Sequence, residues 1–434
     1  MREMVLLALT MALVAPSVST ASDVMFRGDA AHLGVYDSPA PTLATVRWRF
    51  HTKARIVSSP VYGNGVVYVG SNDGRLYAVN ASTGAQIWKF QTKGLVNSSP
   101  AIANGVVYFA GGDGSIYAVN ASTGAKRWRF KTGGEHRFYA PGIHGIVPKT
   151  EMMPDPYDMF LSSPAVANGT VYVGSSDHNV YVLNADTGSL RWKFATGNVV
   201  HASPAVANGI VYIGSWDRYM YALDASSGKL RWKFQTGDDR DTYNQVGIAS
   251  SAAVANGMVY FGCRDSHLYA LDAGSGKLRW SHDEHGSWVI SSPAVYRDAV
   301  YYTTSDSRKF YSLDAKTGKQ RFKTMFAAFA YSSPAIAGGT AYFGAFDGRL
   351  YAVSTSTGQS VGTFSTDAAR ANLAAVLDAH GNVDLGKFYD DPTLDGTFVA
   401  LSKIFALGAI AGSPVIANGI IYIGSADGTL YALN

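Results

Sequence analysis

The chain has 434 residues and a net charge of +4, and only 16% of its residues are charged. It contains no basic run, which excludes an extended nucleic-acid-binding surface. The single cysteine, Cys263, excludes a disulfide framework and a cysteine-based metal site, whereas 46 glycines and 26 tyrosines favour short strands joined by tight turns.

The first 21 residues have the pattern of a secretory signal peptide. Arg2 precedes an apolar run over residues 5–14, and small residues at 19–21 provide a cleavage site after Ala21. The run is too short to span a bilayer, no other stretch is apolar enough, and no cysteine follows that would carry a lipid. We therefore expect a soluble, monomeric protein without a transmembrane segment that is secreted across the inner membrane into the periplasm.

A repeated unit begins after an N-terminal connector over residues 22–45. Its first full copy, residues 58–90, reads SSPVYGNGVVYVGSNDGRLYAVNASTGAQIWKF. Each copy has a serine that usually precedes proline, and the eight serines are Ser59, Ser99, Ser163, Ser203, Ser251, Ser292, Ser333 and Ser413. An aspartate follows each serine by fourteen residues, and these are Asp73, Asp113, Asp177, Asp217, Asp265, Asp306, Asp347 and Asp427. Such regular spacing predicts a repeat architecture.

Turn residues divide each copy into four short strands. Asn64-Gly65, for example, suits a two-residue hairpin turn because both residues tolerate positive φ. Four antiparallel strands in about forty residues predict the blade of an all-β, eight-bladed β-propeller over residues 46–434. The last copy ends after its third strand, so we expect residues 46–50 to join the C-terminal blade as its fourth strand and close the ring.

An aromatic residue recurs in the fourth predicted strand. Its positions are Trp48, Trp88, Trp128, Trp192, Trp232 and Trp280. Phe322 takes this place in the sixth copy, and Gly362 replaces the aromatic residue in the seventh. We expect these rings to pack between blades rather than to bind a ligand. We likewise expect most of the repeated aspartates to accept hydrogen bonds from the backbone of their own turns.

Three connections between blades are enlarged, over residues 131–161, 235–249 and 365–411. Each joins a fourth strand to the next first strand, so all three lie on the side of the aspartate turns, which we call the loop face. The last insertion is rich in alanine and predicts two short helices over the rim. Elaborated loops on a rigid scaffold are typical of a binding site. The candidate ligand- or partner-binding residues are His136, Arg137, Tyr139, His144, Tyr157, Trp216, Arg218, Arg240, Tyr243, Arg264 and Trp288.

The sequence assigns no catalytic residue and no metal ligand. Acidic residues at 238–241 and histidines at 282–285 lack a recognised ligand spacing, so we interpret both segments as solvated loops. No nucleophile elbow, zinc-binding helix or nucleotide-binding loop occurs in a credible context.

The pattern SSPAVANG, VVYVGS, DG, LYALDASTGK, RWKF resembles the repeats of the pyrroloquinoline-quinone (PQQ) propeller superfamily. The resemblance covers residues 46–434. This superfamily includes quinoprotein alcohol dehydrogenases and the outer-membrane assembly lipoprotein BamB. The resemblance therefore implies the propeller fold, but it is compatible with two different roles.

The enzymatic role would require PQQ and a calcium ion, a flat surface against the quinone and cations for its carboxylates. Trp216 or Trp288 could stack on the ring, and the arginines available for the carboxylates are Arg55, Arg137, Arg218, Arg240 and Arg264. The dehydrogenases also carry an adjacent cysteine pair over the cofactor. Cys263 alone cannot form that pair, and the chain has no haem-attachment motif.

We therefore expect a non-catalytic propeller that binds an envelope protein partner or a small ligand, in a scaffold role like that of BamB. Phe138, Tyr139, Tyr157 and Trp288 are expected to be exposed aromatic residues suited to protein contacts. A PQQ- and calcium-dependent quinoprotein dehydrogenase that oxidises an alcohol or sugar is the alternative. A ligand-sensing propeller is a third class.

Overall fold

The computed structural model describes residues 24–238 and 247–434. The expected signal peptide and the candidates Arg240 and Tyr243 lie outside these residues. Within them the chain forms eight four-stranded antiparallel sheets. The first strand of each sheet contacts the first strands of its two neighbours, so the sheets close into a ring. The predicted eight-bladed β-propeller is confirmed.

The strands follow the predicted repeat. The innermost strands are Val61–Gly63, Ala101–Ala103, Ala165–Ala167, Ala205–Ala207, Ala253–Ala255, Ala294–Tyr296, Ala335–Ala337 and Val415–Ala417. The second strands are Val66–Ser71, Val106–Gly111, Thr170–Gly174, Ile210–Gly214, Met258–Gly262, Ala299–Thr303, Thr340–Gly344 and Ile420–Gly424. The third strands are Arg75–Asn80, Ser115–Asn120, Asn179–Asn184, Tyr219–Asp224, His267–Asp272, Lys309–Asp314, Arg349–Ser354 and Thr429–Leu433. The outer strands are Gln86–Gln91, Lys126–Lys131, Leu190–Ala195, Leu230–Gln235, Leu278–Asp283, Gln320–Met325, Ser360–Ser365 and, in the eighth blade, Val46–His51.

The eighth blade is built from both ends of the described chain. Val46–His51 pairs antiparallel with Thr429–Leu433, as predicted. Thr45 and Asn434 extend the pairing by exchanging two backbone hydrogen bonds of 3.1 Å. Because the N-terminal strand occupies the edge of the C-terminal sheet, the ring is closed by hydrogen bonds between distant parts of the chain.

The repeated serines form a ring around the propeller axis. The backbone N–H of each serine donates to the side-chain Oγ of the serine in the next blade, at 2.8–3.0 Å. The last bond runs from Ser413 back to Ser59. Serine recurs here because this short side chain can satisfy a buried N–H of the neighbouring blade.

The repeated tryptophans pack between blades, as expected. Each indole Nε1 donates to a backbone carbonyl of the following blade at 2.8–3.2 Å. Each ring also covers the glycine of that blade's third turn, where a Cβ would come within 3 Å of the indole, as at Gly84 below Trp48. In the seventh blade, where Gly362 replaces the aromatic residue, Leu43 of the connector is buried beside it.

The connector runs across the face opposite to the loop face. Its backbone, from Val24 to Tyr36, hydrogen-bonds to the innermost strands of five blades, at Ile102, Val206, Val254, Val295 and Ile336. The buried guanidinium of Arg27 donates to the carbonyls of Pro334 and Pro293 at 2.6 and 3.0 Å. Desolvation lowers the pKa of Arg27 to about 10. The connector therefore binds to the ring in addition to leading into its closing strand.

Two insertions build a second layer on the loop face. The first contains a hairpin of Tyr139–Pro141 and Met152–Pro154 and a short 3₁₀ turn, Ile143–Gly145. The last contains two α-helices, as predicted, α1 (Asp367–Asn372) and α2 (Leu394–Phe405), and the 3₁₀ turns Leu373–Val376 and Leu385–Lys387. Thr366 and Thr393 cap the helices by accepting N–H bonds in the first turn.

Candidate functional site

Arg264 lies on the loop face between two tryptophan rings. It follows the second strand of blade 5, whereas Trp216 comes from the corresponding turn of blade 4 and Trp288 from the connection between blades 5 and 6. The guanidinium carbon is 4.3 Å from the Trp216 ring centroid and 4.2 Å from that of Trp288. All three side chains are buried. The guanidinium thus makes cation–π contacts on both of its faces.

The charge of Arg264 is balanced by Asp155 of the first insertion. The two side chains form a buried ion pair. The Asp155 carboxylate also contacts His144 Nε2 at 3.1 Å and accepts the backbone N–H of Tyr157 at 2.8 Å. Burial alone would raise the pKa of Asp155, but Arg264 and His144 outweigh it and hold that pKa well below its usual value.

The structure brings five of the candidate residues together: His144, Tyr157, Trp216, Arg264 and Trp288. The His144 ring lies 4.9 Å from Tyr157 and 4.7 Å from Trp288, measured between ring centroids. The expectation that Trp288 is exposed is wrong, because its ring covers Arg264. Phe138 is buried as well, because it stacks on Trp216 with the ring centroids 4.5 Å apart.

The other described candidates lie around this cluster. Tyr139 is exposed on the hairpin, and His136 lies nearby at the surface with Nδ1 2.8 Å from the Arg137 carbonyl. Arg137 donates to the carbonyls of Asp155 and Pro156 at 2.9 and 2.7 Å. Arg218 is 3.9 Å from the Asp238 carboxylate. The guanidinium of Arg137 is thus used to hold the first insertion in place.

Sequence reasoning missed a buried chain of polar groups beneath the first insertion. His201 Nδ1 lies 2.7 Å from Asp158 Oδ1, and His201 Nε2 lies 2.7 Å from Ser176 Oγ. Ser176 Oγ also donates to Glu135 Oε2 at 2.6 Å. Burial would lower the pKa of His201, but Asp158 and then Glu135 reverse this effect and the pKa is raised.

This arrangement resembles a nucleophilic triad in its distances but differs in its proton positions. Ser176 Oγ donates to the Glu135 carboxylate, and the raised pKa of His201 favours a ring that carries a proton on both nitrogens, with Nε2 donating to the serine oxygen. Ser176 and His201 are also buried. The chain of groups therefore has a structural role, which is to tie Glu135 and Asp158 of the first insertion to Ser176 and His201 of the propeller.

A cavity of about 240 Å³ opens beside the Arg264 cluster. Five segments of the loop face contribute to its wall: the first insertion, the connections before and after blade 6, the aspartate turn of blade 6, and the last insertion. Its lining residues are His144, Tyr157, Gly286, Trp288, Ser305, Asp306, Phe329, Tyr331, Leu385 and Tyr389. The Tyr157 and Tyr389 hydroxyl groups are 3.2 Å apart and join the first and last insertions.

Asp306 is the cavity's carboxylate, and a sequence signal for it exists. In seven blades a tyrosine follows the repeated aspartate by four residues, but in blade 6 Tyr311 follows Asp306 by five. The seven regular tyrosines donate to their aspartates at 2.5–2.7 Å. Asp306 instead accepts a bond of 3.1 Å from Ser305 Oγ. The expectation of turn hydrogen bonds is met at Asp73, Asp177, Asp217, Asp265, Asp347 and Asp427.

The residues of this face do not fit PQQ in the way the resemblance implies. The facing surfaces of Trp216 and Trp288 are already filled by the Arg264 guanidinium, so a quinone cannot stack between them. The adjacent cavity presents the Asp306 carboxylate, and none of its described lining residues is a lysine or arginine. A tricarboxylate would therefore meet the like charge of Asp306 in a cavity whose described lining offers no lysine or arginine to pair with it. Arg55 is engaged elsewhere, by Ser402 and the Phe405 ring.

Among residues 24–238 and 247–434, no group of three or more histidine, cysteine, aspartate or glutamate side chains is arranged to hold a metal ion. Over the same ranges, no helix has the length and apolar character needed to cross a membrane.

These observations define the class of the protein as a PQQ-type eight-bladed propeller with an elaborated loop face. The family model described as outer membrane protein assembly factor BamB matches residues 40–143, 146–287 and 264–378. The chain belongs to this family of PQQ-like propeller repeat proteins. A search of curated protein sequences finds no match.

Solved structures share the fold at low sequence identity. BamB from Moraxella catarrhalis is 16% identical, with a TM-score of 0.63 over 89% of this chain and 96% of that chain. A europium-containing methanol dehydrogenase is 15% identical, with a TM-score of 0.67 over 93% and 90%. Quinohemoprotein alcohol dehydrogenase from Comamonas testosteroni is 14% identical, with a TM-score of 0.68 over 94% and 80%. The likeness shows the propeller fold and does not select between the two roles.

Proposed function

We propose that this protein is a non-catalytic binding propeller of the cell envelope, which holds a partner protein on its loop face in a scaffold role like that of BamB. The observation that carries the proposal is an exposed apolar strip on the hairpin of the first insertion. Tyr139 is 48% exposed and Met152 is 64% exposed, although both belong to an ordered two-stranded element. Large apolar side chains held in place above a rigid scaffold are typical of protein contact sites.

The electrostatics of the loop face support a binding role rather than a catalytic one. Arg264 and Asp155 neutralise each other, and the Ser176 hydroxyl is already bonded to Glu135. Arg264, Asp155 and Ser176 are therefore engaged in holding the insertions. Export to the periplasm and the monomeric state belong to the same proposal and rest on the sequence pattern of the first 21 residues.

Site-specific photocrosslinking tests the proposal. A photoreactive phenylalanine replaces Tyr139 in one variant and Leu230 in another, and each is expressed in the protein's own host. Leu230 is a matched control because it is also apolar and 46% exposed, but it begins an outer strand next to the short turns of the opposite face. We expect one defined adduct from position 139, none from position 230, and loss of the adduct when Met152→Asp is added. Equal labelling from both positions would contradict the proposal.

A PQQ- and calcium-dependent dehydrogenase is the second candidate, favoured by the structural likeness to methanol and alcohol dehydrogenases. Titration of the purified protein with PQQ and calcium, followed by an alcohol or sugar and an artificial electron acceptor, tests it. We expect neither saturable cofactor binding nor dye reduction. Saturable binding followed by dye reduction would replace the binding proposal with the enzymatic one.

A further inference from the structure

The repeated aspartate of blade 6, Asp306, does not make the tyrosine hydrogen bond that its seven counterparts make. Elsewhere the aspartate accepts a tyrosine hydroxyl of the following strand, as Asp427 does from Tyr431 at 2.7 Å. In blade 6 the turn is one residue longer. Tyr311 pairs with Tyr302 of the second strand. This is the same strand position as that of Tyr431 in blade 8, which pairs with Ile423. The extra residue separates Asp306 from the tyrosine that would otherwise bind it.

A second carboxylate stabilises this turn in place of Asp306. Glu284, from the connection before blade 6, is buried, accepts Ser307 Oγ at 2.8 Å and pairs with Lys309 at 3.2 Å. Burial and the neighbouring Glu284 carboxylate also raise the pKa of Tyr311. Because Glu284 stabilises the turn, Asp306 is not needed there and its side chain borders the cavity.

The cavity wall around Asp306 is aromatic. Tyr157, Trp288, Phe329, Tyr331 and Tyr389 line it, and the charge of Arg264 behind Trp288 is balanced by Asp155. His144 also lines the cavity, but its Nε2 faces Asp155. Asp306 is accessible to solvent although protein surrounds it on most sides, and desolvation raises its pKa. The Ser305 hydroxyl, His144 and Arg264 oppose that rise in pKa. An exposed carboxylate thus borders a cavity that five aromatic side chains also line.

We propose that this cavity binds a small organic cation of the alkylammonium class, with Asp306 as the counter-ion and the aromatic residues as the wall. Aromatic rings attract cations through their negative faces, and cages of such rings recognise quaternary ammonium groups. The volume of about 240 Å³ has room for roughly eight water-sized groups, which suits a choline-sized molecule. The inference rests on the loop face being the binding face, but it adds a site separate from the hairpin strip.

Titration calorimetry with three probes tests the chemistry of the ligand. The probes are tetramethylammonium, choline and 3,3-dimethylbutan-1-ol, which has the shape of choline without its charge. We expect the two cations to bind saturably and at least tenfold more tightly than the neutral alcohol. Equal binding of choline and the alcohol, or no saturable heat from either cation at 10 mM, would overturn the proposal.

Three variants locate the site. Asp306→Asn keeps the side-chain shape and removes the charge, so cation affinity should fall at least tenfold while the melting temperature is unchanged or higher. Asp427→Asn is the matched control in a regular blade, where the melting temperature should fall and cation affinity should persist. Deletion of Ser307 restores the four-residue spacing between Asp306 and Tyr311, and it should abolish cation binding.

Two results would oppose the assignment to Asp306. The first is undiminished cation binding by Asp306→Asn, and the second is an equal loss of affinity in Asp427→Asn. The photocrosslinking experiment at Tyr139 does not depend on the cavity. Failure of the cations to bind would therefore overturn this inference without affecting the proposed partner-binding function. The absence of an adduct would overturn the partner-binding function without affecting the cation site.

Discussion

Arg264 and Asp155 depend on each other because both are buried beneath the insertions of the loop face. Arg264→Ala leaves the Asp155 carboxylate with His144 as its remaining side-chain partner and removes the filling between two tryptophan rings. We expect the free energy of unfolding, measured by urea denaturation, to fall by roughly 3–5 kcal/mol. The exposed Arg321 pairs with Asp298, so Arg321→Ala should cost about 0–1 kcal/mol. Similar losses in the two variants would mean that the buried pair contributes little.

His201 gives the protein a pH-dependent stability of known sign. Burial would lower its pKa, but Asp158 raises it above the ordinary value of 6.5, so the folded protein binds this proton more tightly than the unfolded chain. The stabilisation is complete below pH 6.5 and is lost as the pH rises through the raised pKa of the folded state. We expect melting temperatures measured from pH 6 to 9 to fall across this range. The fall should be smaller in His201→Gln, and an identical profile would contradict the assignment.

At the scale of single elements, the blades were predictable because their information is local. Asn-Gly turns, alternating apolar residues and a fixed serine–aspartate spacing are all read within one copy of the repeat. Residues 46–50 were assigned correctly to the last blade because that copy lacks its fourth strand. The loop face was harder to predict, since its contacts join residues more than 100 positions apart, such as Asp155 and Arg264.

The burial of Trp288 and Phe138 has the same origin. Each lies in a polar loop, where local sequence favours exposure. Phe138 stacks on Trp216 of blade 4, and Trp288 packs against His144 of the first insertion. Asp306 was obscured by the regularity of the repeat, because its spacing to the ring serine matches that of its seven counterparts. Only its spacing to the next tyrosine differs. The irregular spacing within a regular repeat is thus the sequence signal that marks the cavity carboxylate.

Leu43 replaces an inter-blade aromatic residue and offers a test of packing at this scale. It is buried next to Gly362, at the position where six other blades have tryptophan. Leu43→Ala should lower the free energy of unfolding by about 2–5 kcal/mol, because it opens a cavity between the seventh and eighth blades. Leu230→Ala, at an exposed site, should have little effect on the same urea curve. A neutral Leu43→Ala would show that the connector does not fill this gap.

At the scale of the whole molecule, the two faces of the ring differ in how they are covered. The connector covers one face and bonds to five innermost strands, while the insertions build up the other. The serine ring between them links each blade to the next through buried hydrogen bonds. The cavity at the axis, beside this ring, is small, at about 50 Å³. Binding is therefore expected on the loop face rather than within the ring.

Two deletions separate the contributions of the connector and of the closing strand. A chain lacking residues 24–44 loses the connector's hydrogen bonds and Leu43 but keeps Val46–His51 in the eighth blade. A chain lacking residues 24–51 also exposes the edge of Thr429–Leu433, whose backbone groups then have no partner strand. We expect calorimetry to give a lower melting temperature for the first deletion and a still lower one for the second. The second should also self-associate in size-exclusion chromatography, because an open strand edge pairs with other chains. Equal melting temperatures and a monomeric second deletion would mean that the N-terminal strand is not what keeps the ring closed.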